Sequence, residues 1–363
     1  MKKISLILVV AMMISLLAGC AGTTVVYHTD CTCPTGSHSA PATNPTNPST
    51  PSISAEGEIK TGVFVGVTMK NTDYSGAVVD GMVEYDVTVA AVTVDENGVI
   101  LSCRLDSIGT SLAFEGGALG IDPKDHPPIL SKNELGDSYG MKGSSGIGAE
   151  WYQQAQALCD YAVGKTVEEL RSGAVNESGY AADADLATSA TIKLGGYVSA
   201  IEGAVANAKP LGAQAGDELR LAAISSFVDS TNPADGKDGN AQLNVDVVAL
   251  TMNGETITSC QIDSIQAKVA FNAAGTVTSD LTAPVQSKNQ LGDAYNMVAW
   301  GSATYEWYQQ AENFSAYVTG KTAADVAGIA IAESTKPAEG TDLAATVTIS
   351  IIGFQNLIAK AAA

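Results

Sequence analysis

Two stretches of the chain between residues 60 and 95 alternate apolar and polar positions, the pattern of a β-strand with one buried face. The apolar positions are Val63, Val65 and Val67 in the first stretch and Tyr85, Val87, Val89 and Ala91 in the second. The turn sequence Asp95-Glu96-Asn97-Gly98 follows, and its glycine suits a positive φ. The pattern predicts a β-hairpin, and the same pattern around Asn253-Gly254 predicts another.

Two later stretches repeat apolar residues at the spacing of one helical face. The apolar positions are Trp151, Ala155, Leu158 and Ala162, and then Trp307, Ala311, Phe314 and Val318. Gly164 and Gly320 are expected to end these helices, because glycine readily takes the left-handed conformation that follows a helix. Thr166 and Glu169 have the spacing of a capping box, which predicts another short helix.

Each of the two helical stretches is followed by a segment that is predicted to be strand-like. These segments are Asp185–Ile192 and Asp342–Ile349. An amphipathic helix is predicted after each, with its apolar positions at Tyr197, Ile201, Ala204, Val205 and Ala208, and at Phe354, Leu357, Ile358 and Ala361. Strands followed by helices indicate the α+β class, with an antiparallel sheet packed against helices.

The chain repeats this whole pattern once. Leu101–Ile108 returns as Thr258–Ile265, and the segment around Trp151 returns around Trp307. The spacing of about 157 residues is far longer than the units of a solenoid. We interpret the repeat as two tandem homologous domains, residues 59–209 and 214–363, and expect each to fold alone.

The N-terminus has the layout of a secretory signal peptide, residues 1–19, with two lysines, an apolar run and small residues before Cys20. Leu17-Ala18-Gly19-Cys20 resembles a bacterial lipobox, which implies diacylglycerol on the Cys20 thiol and attachment to the bilayer on the extracellular side. Residues 20–58 are rich in Ser, Thr, Pro and Asn, and are predicted to form a disordered stalk.

Charge and side-chain chemistry exclude several functions. The formal net charge of −20 argues against nucleic acid as a partner, because binding phosphates requires cationic patches. The chain has only three histidines, so no catalytic triad can be assembled in both repeats. Cys31 and Cys33 lie in the stalk and lack enough neighbouring ligands for a metal site. Cys103 and Cys260 occupy equivalent positions and are expected to be small buried residues.

The segment Asp185-Leu-Ala-Thr188-Ser189-Ala190-Thr191, which precedes a predicted helix, resembles the end of the FMN-binding domain family, which has a member in the sodium-translocating quinone reductase. The hairpin turn, Gly146-Ile147-Gly148, Trp151, Gln154 and Gly164-Lys165 match other elements of that family in order. The resemblance implies that a flavin transferase esterifies FMN phosphate to a threonine hydroxyl. Thr191 is then the acceptor, with Asp185, Thr188, Ser189 and Ala190 around it, and Thr348 is its counterpart.

The family has glycine where this chain has Ser189 and Thr346, and Val347 replaces the following alanine in the second repeat. Glycine there would allow close approach of a nucleotide, so a side chain at that position opposes modification in both repeats. Thr346 and Val347 together crowd the second site, and Thr348 is therefore expected to be the poorer acceptor. Two functions remain open. One is a surface lipoprotein with covalent FMN that passes electrons from a membrane redox donor outside the membrane. The other is a cofactor-free lipoprotein that uses the same scaffold to bind a partner protein or an envelope polymer.

Overall fold

The predicted strands form two antiparallel sheets in the computed structural model, which describes residues 57–72, 81–301 and 303–363. The signal peptide, Cys20 and the stalk as far as residue 56, with Cys31 and Cys33, lie outside the described residues, so their roles stay predictions.

The first sheet has strand order β1–β2–β3–β4. Its strands are β1 (Lys60–Thr72), β2 (Gly81–Val94), β3 (Ile100–Glu115) and the short β4 (Ala118–Leu119). The turn between β2 and β3 is the predicted one: Gly98 has φ +79°, and the Asp95 carboxylate accepts hydrogen bonds from the N–H groups of Asn97 and Val99 at 2.9 and 2.8 Å. The first predicted hairpin is confirmed.

The second sheet has strand order β5–β6–β7. Its strands are β5 (Glu218–Ser226), β6 (Gly239–Asn253) and β7 (Thr256–Phe271). Gly254 has φ +58° in the turn that joins β6 to β7, which confirms the second hairpin. Val245 faces Ile265 across this pair, and Val87 faces Ile108 across β2 and β3.

Short helices follow each sheet. After the first come α1 (Lys132–Leu135), α2 (Trp151–Ala162), α3 (Val167–Gly173), α4 (Ala184–Ser189) and α5 (Gly195–Ala206), and after the second come α6 (Lys288–Leu291), α7 (Met297–Gly301), α8 (Trp307–Val318), α9 (Ala323–Ala327) and α10 (Ile352–Ala362). Single turns of 3₁₀-helix occur at Pro123–Asp125, Gly136–Tyr139, Gly292–Tyr295 and Leu343–Ala345. Antiparallel sheets with helices confirm the α+β class.

The helical predictions for α2 and α8 are confirmed, since every residue of both predicted faces is buried. Gly164 and Gly320 follow these helices with φ of +83° and +85°. Thr166 and Glu169 form the predicted capping box at the start of α3. The amphipathic helices at the end of each repeat are α5 and α10.

The prediction of a strand-like segment at Asp185–Ile192 is wrong. Residues Ala184–Ser189 are helical, and the segment 342–349 contains a 3₁₀ turn instead of a strand. The helix forms because the Asp183 carboxylate accepts hydrogen bonds from the N–H groups of Asp185 and Leu186 at 2.9 and 3.0 Å. A side-chain acceptor at this position satisfies N–H groups that have no partner inside the helix.

The helices and sheets lie in four layers, because each sheet is buried on both faces. The first sheet packs against α2 to α5, and the second packs against α8 to α10. A further core lies between the two sheets and takes residues from both repeats. Phe114 stacks on Phe271 there with ring centroids 4.3 Å apart, and the Tyr85 hydroxyl donates to the Ala241 carbonyl at 3.0 Å. Part of the core is therefore shared, which counts against folding of either repeat alone.

The outer edge of β1 is covered by polar groups. The Val63 N–H donates to Oε1 of Gln261 on β7 at 2.6 Å, and the Val63 carbonyl accepts from Asn207 Nδ2 at 2.9 Å. Gln261 Nε2 donates to the Asn207 carbonyl at 2.9 Å and closes the network. An exposed strand edge is a site of unwanted pairing, so these side chains protect it while joining the repeats.

All described residues belong to one compact unit. Within the described residues, every helix is too short or too polar to cross a bilayer.

Candidate functional site

Thr191 lies in the turn between α4 and α5 and is exposed to solvent. Its N–H and its hydroxyl both donate to Oε1 of Gln154, at 2.8 and 3.2 Å, and the Ile192 N–H donates to the same oxygen at 3.2 Å. Gln154 comes from α2 and is fully buried. The turn that carries the predicted acceptor is therefore fixed by a side chain from another element.

The amide nitrogen of Gln154 contacts the loop from Ser145 to Ala149, which is called the glycine loop below. Nε2 donates to the Ala149 carbonyl at 3.1 Å and to the Ser145 hydroxyl at 3.3 Å. Gly146 and Gly148 lie between these two contacts, and both face open space. Three separate parts of the sequence pattern, the loop, Gln154 and Thr191, thus meet at one place.

The surface around Thr191 combines a cation with exposed apolar side chains. Lys193 Nζ lies 5.9 Å from the centre of the Tyr180 ring, and the Gly179 carbonyl accepts from the Leu194 N–H at 2.7 Å, which holds the Tyr180 turn beside α5. Tyr180 is 42% exposed and Ile147 in the glycine loop is 37% exposed. The surface combines the exposed residue Thr191 with one ammonium group and apolar side chains.

The remaining predicted residues of this segment divide between solvent and core. Asp185, Thr188 and Ser189 are exposed, whereas Ala190 is buried. The Thr188 hydroxyl donates to the Asp185 carbonyl at 2.7 Å, which is a contact within α4. Ser189 and Thr191 are therefore both exposed residues, and the Thr191 hydroxyl donates to Gln154.

The second repeat has the same arrangement around Thr348. Its N–H and hydroxyl donate to Oε1 of buried Gln310 at 2.7 and 3.2 Å. Val347 is buried on the core side, so it does not cover the exposed Thr348. The difference lies elsewhere: Ser350 occupies the position of Lys193, and the exposed side chain of Trp300 lies in α7.

A buried carboxylate occurs at the same place in each repeat. Asp106 accepts from the N–H groups of Ser107 and Asn133 at 2.7 and 3.2 Å, and Asp263 makes the matching contacts in the second repeat. Burial raises the pKa of each carboxyl to about 6, although these donors favour the ionised form. Asp106 joins β3 to α1, and Asp263 joins β7 to α6. Their role is therefore structural.

Trp151 and Trp307 are core residues, as expected. Trp151 is 1% exposed and donates from Nε1 to the Tyr197 hydroxyl at 2.9 Å. The Lys132 Nζ lies 5.2 Å from the centre of the Trp151 ring, and the Lys288 Nζ lies 4.7 Å from the centre of the Trp307 ring. Desolvation lowers the pKa of Lys288. The helix α1, which carries Lys132, begins with a capping box formed by Ser131 and Glu134.

A cleft of about 280 Å³ opens between β3, α1 and α2. Its lining residues are Arg104, Leu105, Asn133, Tyr152, Gln153, Gln156 and Cys159. Arg104 is only 7% exposed, and its Nη1 donates to the Cys103 carbonyl at 3.2 Å. The Arg104 guanidinium therefore lies at the inner wall of the cleft.

The cysteines among the described residues are buried thiols, as predicted for Cys103 and Cys260. Burial raises the pKa of Cys159, and the neighbouring Cys103 thiol adds to that effect. Burial also raises the pKa of Cys260 to about 12. The described residues contain no group of three or more His, Cys, Asp or Glu side chains placed to hold a metal ion.

The residue that organises the site, Gln154, was not among the predicted site residues. Its signal in the sequence was a polar residue three positions after Trp151, on the otherwise apolar face of the helix, repeated as Gln310. Glu150 is similar: it is 2% exposed and accepts from the N–H groups of Met141 and Lys142, both at 2.8 Å, at the start of the glycine loop.

Comparison of the chain with profiles of protein families, with curated protein sequences and with solved structures gives no match.

Proposed function

We propose that the protein is a surface lipoprotein whose first repeat carries FMN as a phosphoester on Thr191 and passes electrons outside the membrane. In this proposal residues 59–209 and 214–363 are tandem homologous domains. The order of strands and helices, and the Gln154–Thr191 and Gln310–Thr348 contacts, support a common origin.

One observation carries the proposal: Gln154 brings the glycine loop and Thr191 together at an exposed surface. The family resemblance rests on separated segments of the sequence, and a chance resemblance would give no reason for those segments to meet. The contact is therefore independent support for the proposal, since it depends on the tertiary structure.

The residues around Thr191 fit a flavin nucleotide. The Lys193 ammonium offers a positive charge two residues from the acceptor, which favours a phosphate group there. The exposed Tyr180 and Ile147 offer apolar surface to a ring system. When the hydroxyl is esterified, Gln154 Oε1 still accepts from the N–H groups of Thr191 and Ile192, so the turn keeps its anchor.

A bound flavin would supply one- and two-electron redox chemistry. The chain's own residues have simpler roles. Gln154 orients the turn, Lys193 balances the negative charge of the phosphoester, and the open surface around Gly146 and Gly148 gives redox partners access. The second repeat has Ser350 in place of Lys193, which makes Thr348 the weaker acceptor.

The test is intact mass after co-expression with an active flavin transferase. We expect the wild type and Thr191→Ser to gain the mass of FMN less one water, because both offer a hydroxyl. Thr191→Ala should gain nothing, and Thr348→Ala should behave as the wild type does. An unmodified wild type, or an equal gain in Thr191→Ala, would reject the proposal.

The second candidate is a cofactor-free lipoprotein that binds a partner protein or an envelope polymer. It is favoured by Trp300, which is 84% exposed, and by Val298 on the same short helix, which is 45% exposed. Exposed aromatic side chains are common at binding surfaces. This account becomes the better one if co-expression leaves the mass unchanged.

A further inference from the structure

Two buried thiols of the first repeat lie together between β3 and α2. Cys103 lies on β3 and Cys159 lies on α2, and both are buried in the core between the first sheet and its helices. The Cys103 thiol contacts the Cys159 thiol, and this contact adds to the burial that raises the pKa of Cys159. The two sulfur atoms are therefore neighbours, although they come from different elements.

The backbone holds β3 and α2 in a fixed register. The Gly164 N–H donates to the Ile100 carbonyl at 2.8 Å, and the Ile100 N–H donates to the Lys165 carbonyl at 2.9 Å, which fastens the turn after α2 to the beginning of β3. Cys103 lies three residues after Ile100, and Cys159 lies five residues before Gly164. These separations are about 10 Å along a strand and about 7–8 Å along a helix, so the register brings both thiols to one level of the core.

The second repeat has the same junction but only one of the two thiols. The Gly320 N–H donates to the Ile257 carbonyl at 2.7 Å, and Cys260 stands at the position of Cys103. Ser315 stands at the position of Cys159, is buried on α8, and lies beside Cys260. Because a serine fills this place in the core of the second repeat, packing alone does not require a second thiol in the first.

We propose that Cys103 and Cys159 are joined by an intrachain disulfide in the exported protein. The predicted signal peptide directs the chain to a compartment in which disulfides persist. This inference needs export of the chain but no flavin at Thr191, so the two proposals can fail separately.

The bond forms by exchange with a disulfide donor, which is the oxidant. Cys159 lines the cleft between β3, α1 and α2, so a donor reaches its sulfur first. The Cys159 thiolate attacks the donor to form a mixed disulfide and releases one donor thiolate, and the Cys103 thiolate then displaces the other. The two cysteines lose two electrons and two protons, and the donor becomes two thiols.

The disulfide closes the loop from residue 103 to residue 159, which contains α1, the glycine loop and Gln154. A crosslink stabilises a fold mainly by restricting the unfolded chain, and the effect is larger for a long loop. The bond therefore restrains the segment that holds the turn of Thr191.

The linkage is tested on the full chain isolated from the membranes of its own cells. The cells are quenched in acid, which protonates thiols and stops exchange, and free thiols are then alkylated in denaturant. Peptide mass spectrometry without reduction should find the Cys103 peptide joined to the Cys159 peptide, and Cys260 alkylated. Alkylation of both Cys103 and Cys159, or a bond from either to another cysteine, would overturn the proposal.

The matched control is Cys159→Ser, because Ser315 occupies this position in the second repeat. Dithiothreitol present throughout a urea titration should lower the unfolding midpoint of the wild type by about 1 M, and should leave that of Cys159→Ser unchanged. A wild-type midpoint that does not move, or an equal shift in both proteins, would also overturn the proposal. If circular dichroism shows that Cys159→Ser is unfolded, the peptide linkage decides the matter.

Discussion

Replacing Phe271 by alanine should destabilise both repeats, although the residue belongs to the second. Phe271 has no exposed surface, and its ring stacks on Phe114 of the first repeat at 4.3 Å. Truncating a buried phenylalanine typically costs about 3–5 kcal/mol, a value that includes the loss of the ring pair. With a urea m-value of about 3 kcal/mol/M, the unfolding midpoint should fall by about 1 M or more.

The three tryptophans allow each repeat to be followed separately by fluorescence. Trp151 reports on the first repeat, Trp307 on the second, and the exposed Trp300 is replaced by phenylalanine in every variant. Two backgrounds, each retaining one buried tryptophan, are unfolded in urea with and without Phe271→Ala. If the sheets share a core, the substitution shifts the Trp151 and Trp307 transitions equally.

The control for this experiment is Val228→Ala, since Val228 is 52% exposed. It should change stability by no more than about 0.5 kcal/mol in either background. A Phe271→Ala protein in which the Trp307 transition moves and the Trp151 transition stays would refute the shared core, and would show that the repeats unfold independently.

Three further predictions concern polar contacts. Burial raises the pKa of the Asp106 and Asp263 carboxyls from 3.8 to about 6. Each carboxyl therefore contributes most to the stability of the fold below about pH 4, where it is protonated. Roughly 3 kcal/mol of that contribution is lost from each carboxyl as the pH rises past 6. The difference in unfolding free energy between wild type and Asp106→Asn/Asp263→Asn should therefore fall from about pH 4 to about pH 7, and a constant difference would contradict this. Gln154→Ala should lower stability by about 1–3 kcal/mol in thermal unfolding, because two N–H groups lose their acceptor; no loss would mean that water replaces it. Gln261→Ala should speed hydrogen exchange at the Val63 amide, and unchanged exchange would show that the strand edge does not need this side chain.

The local elements could be predicted because their signals lie within a few residues. Alternation located β2 and β6, the apolar spacing located α2 and α8, and Gly98 marked a turn whose φ is +79°. The helix in the segment 185–192 could not be predicted, because its residues give weak strand and helix signals alike. The deciding group was Asp183, whose carboxylate caps α4 from just outside the segment.

The long-range contacts could not be predicted from these patterns. Alternation shows that a strand has a buried face, but not what covers it, so the packing of Phe114 on Phe271 had no signal. The contact between Gln154 and Thr191 joins positions 37 residues apart. Its local signs were a polar glutamine on an otherwise apolar helix face and the match of that glutamine to an element of the family pattern.

The most direct test of the proposed function is peptide mass spectrometry on the protein isolated from its own membranes. The account predicts that the peptide containing Thr191 carries FMN as a phosphoester and that the peptide containing Thr348 is unmodified. A fully unmodified Thr191 peptide from cells with an active flavin transferase would contradict it.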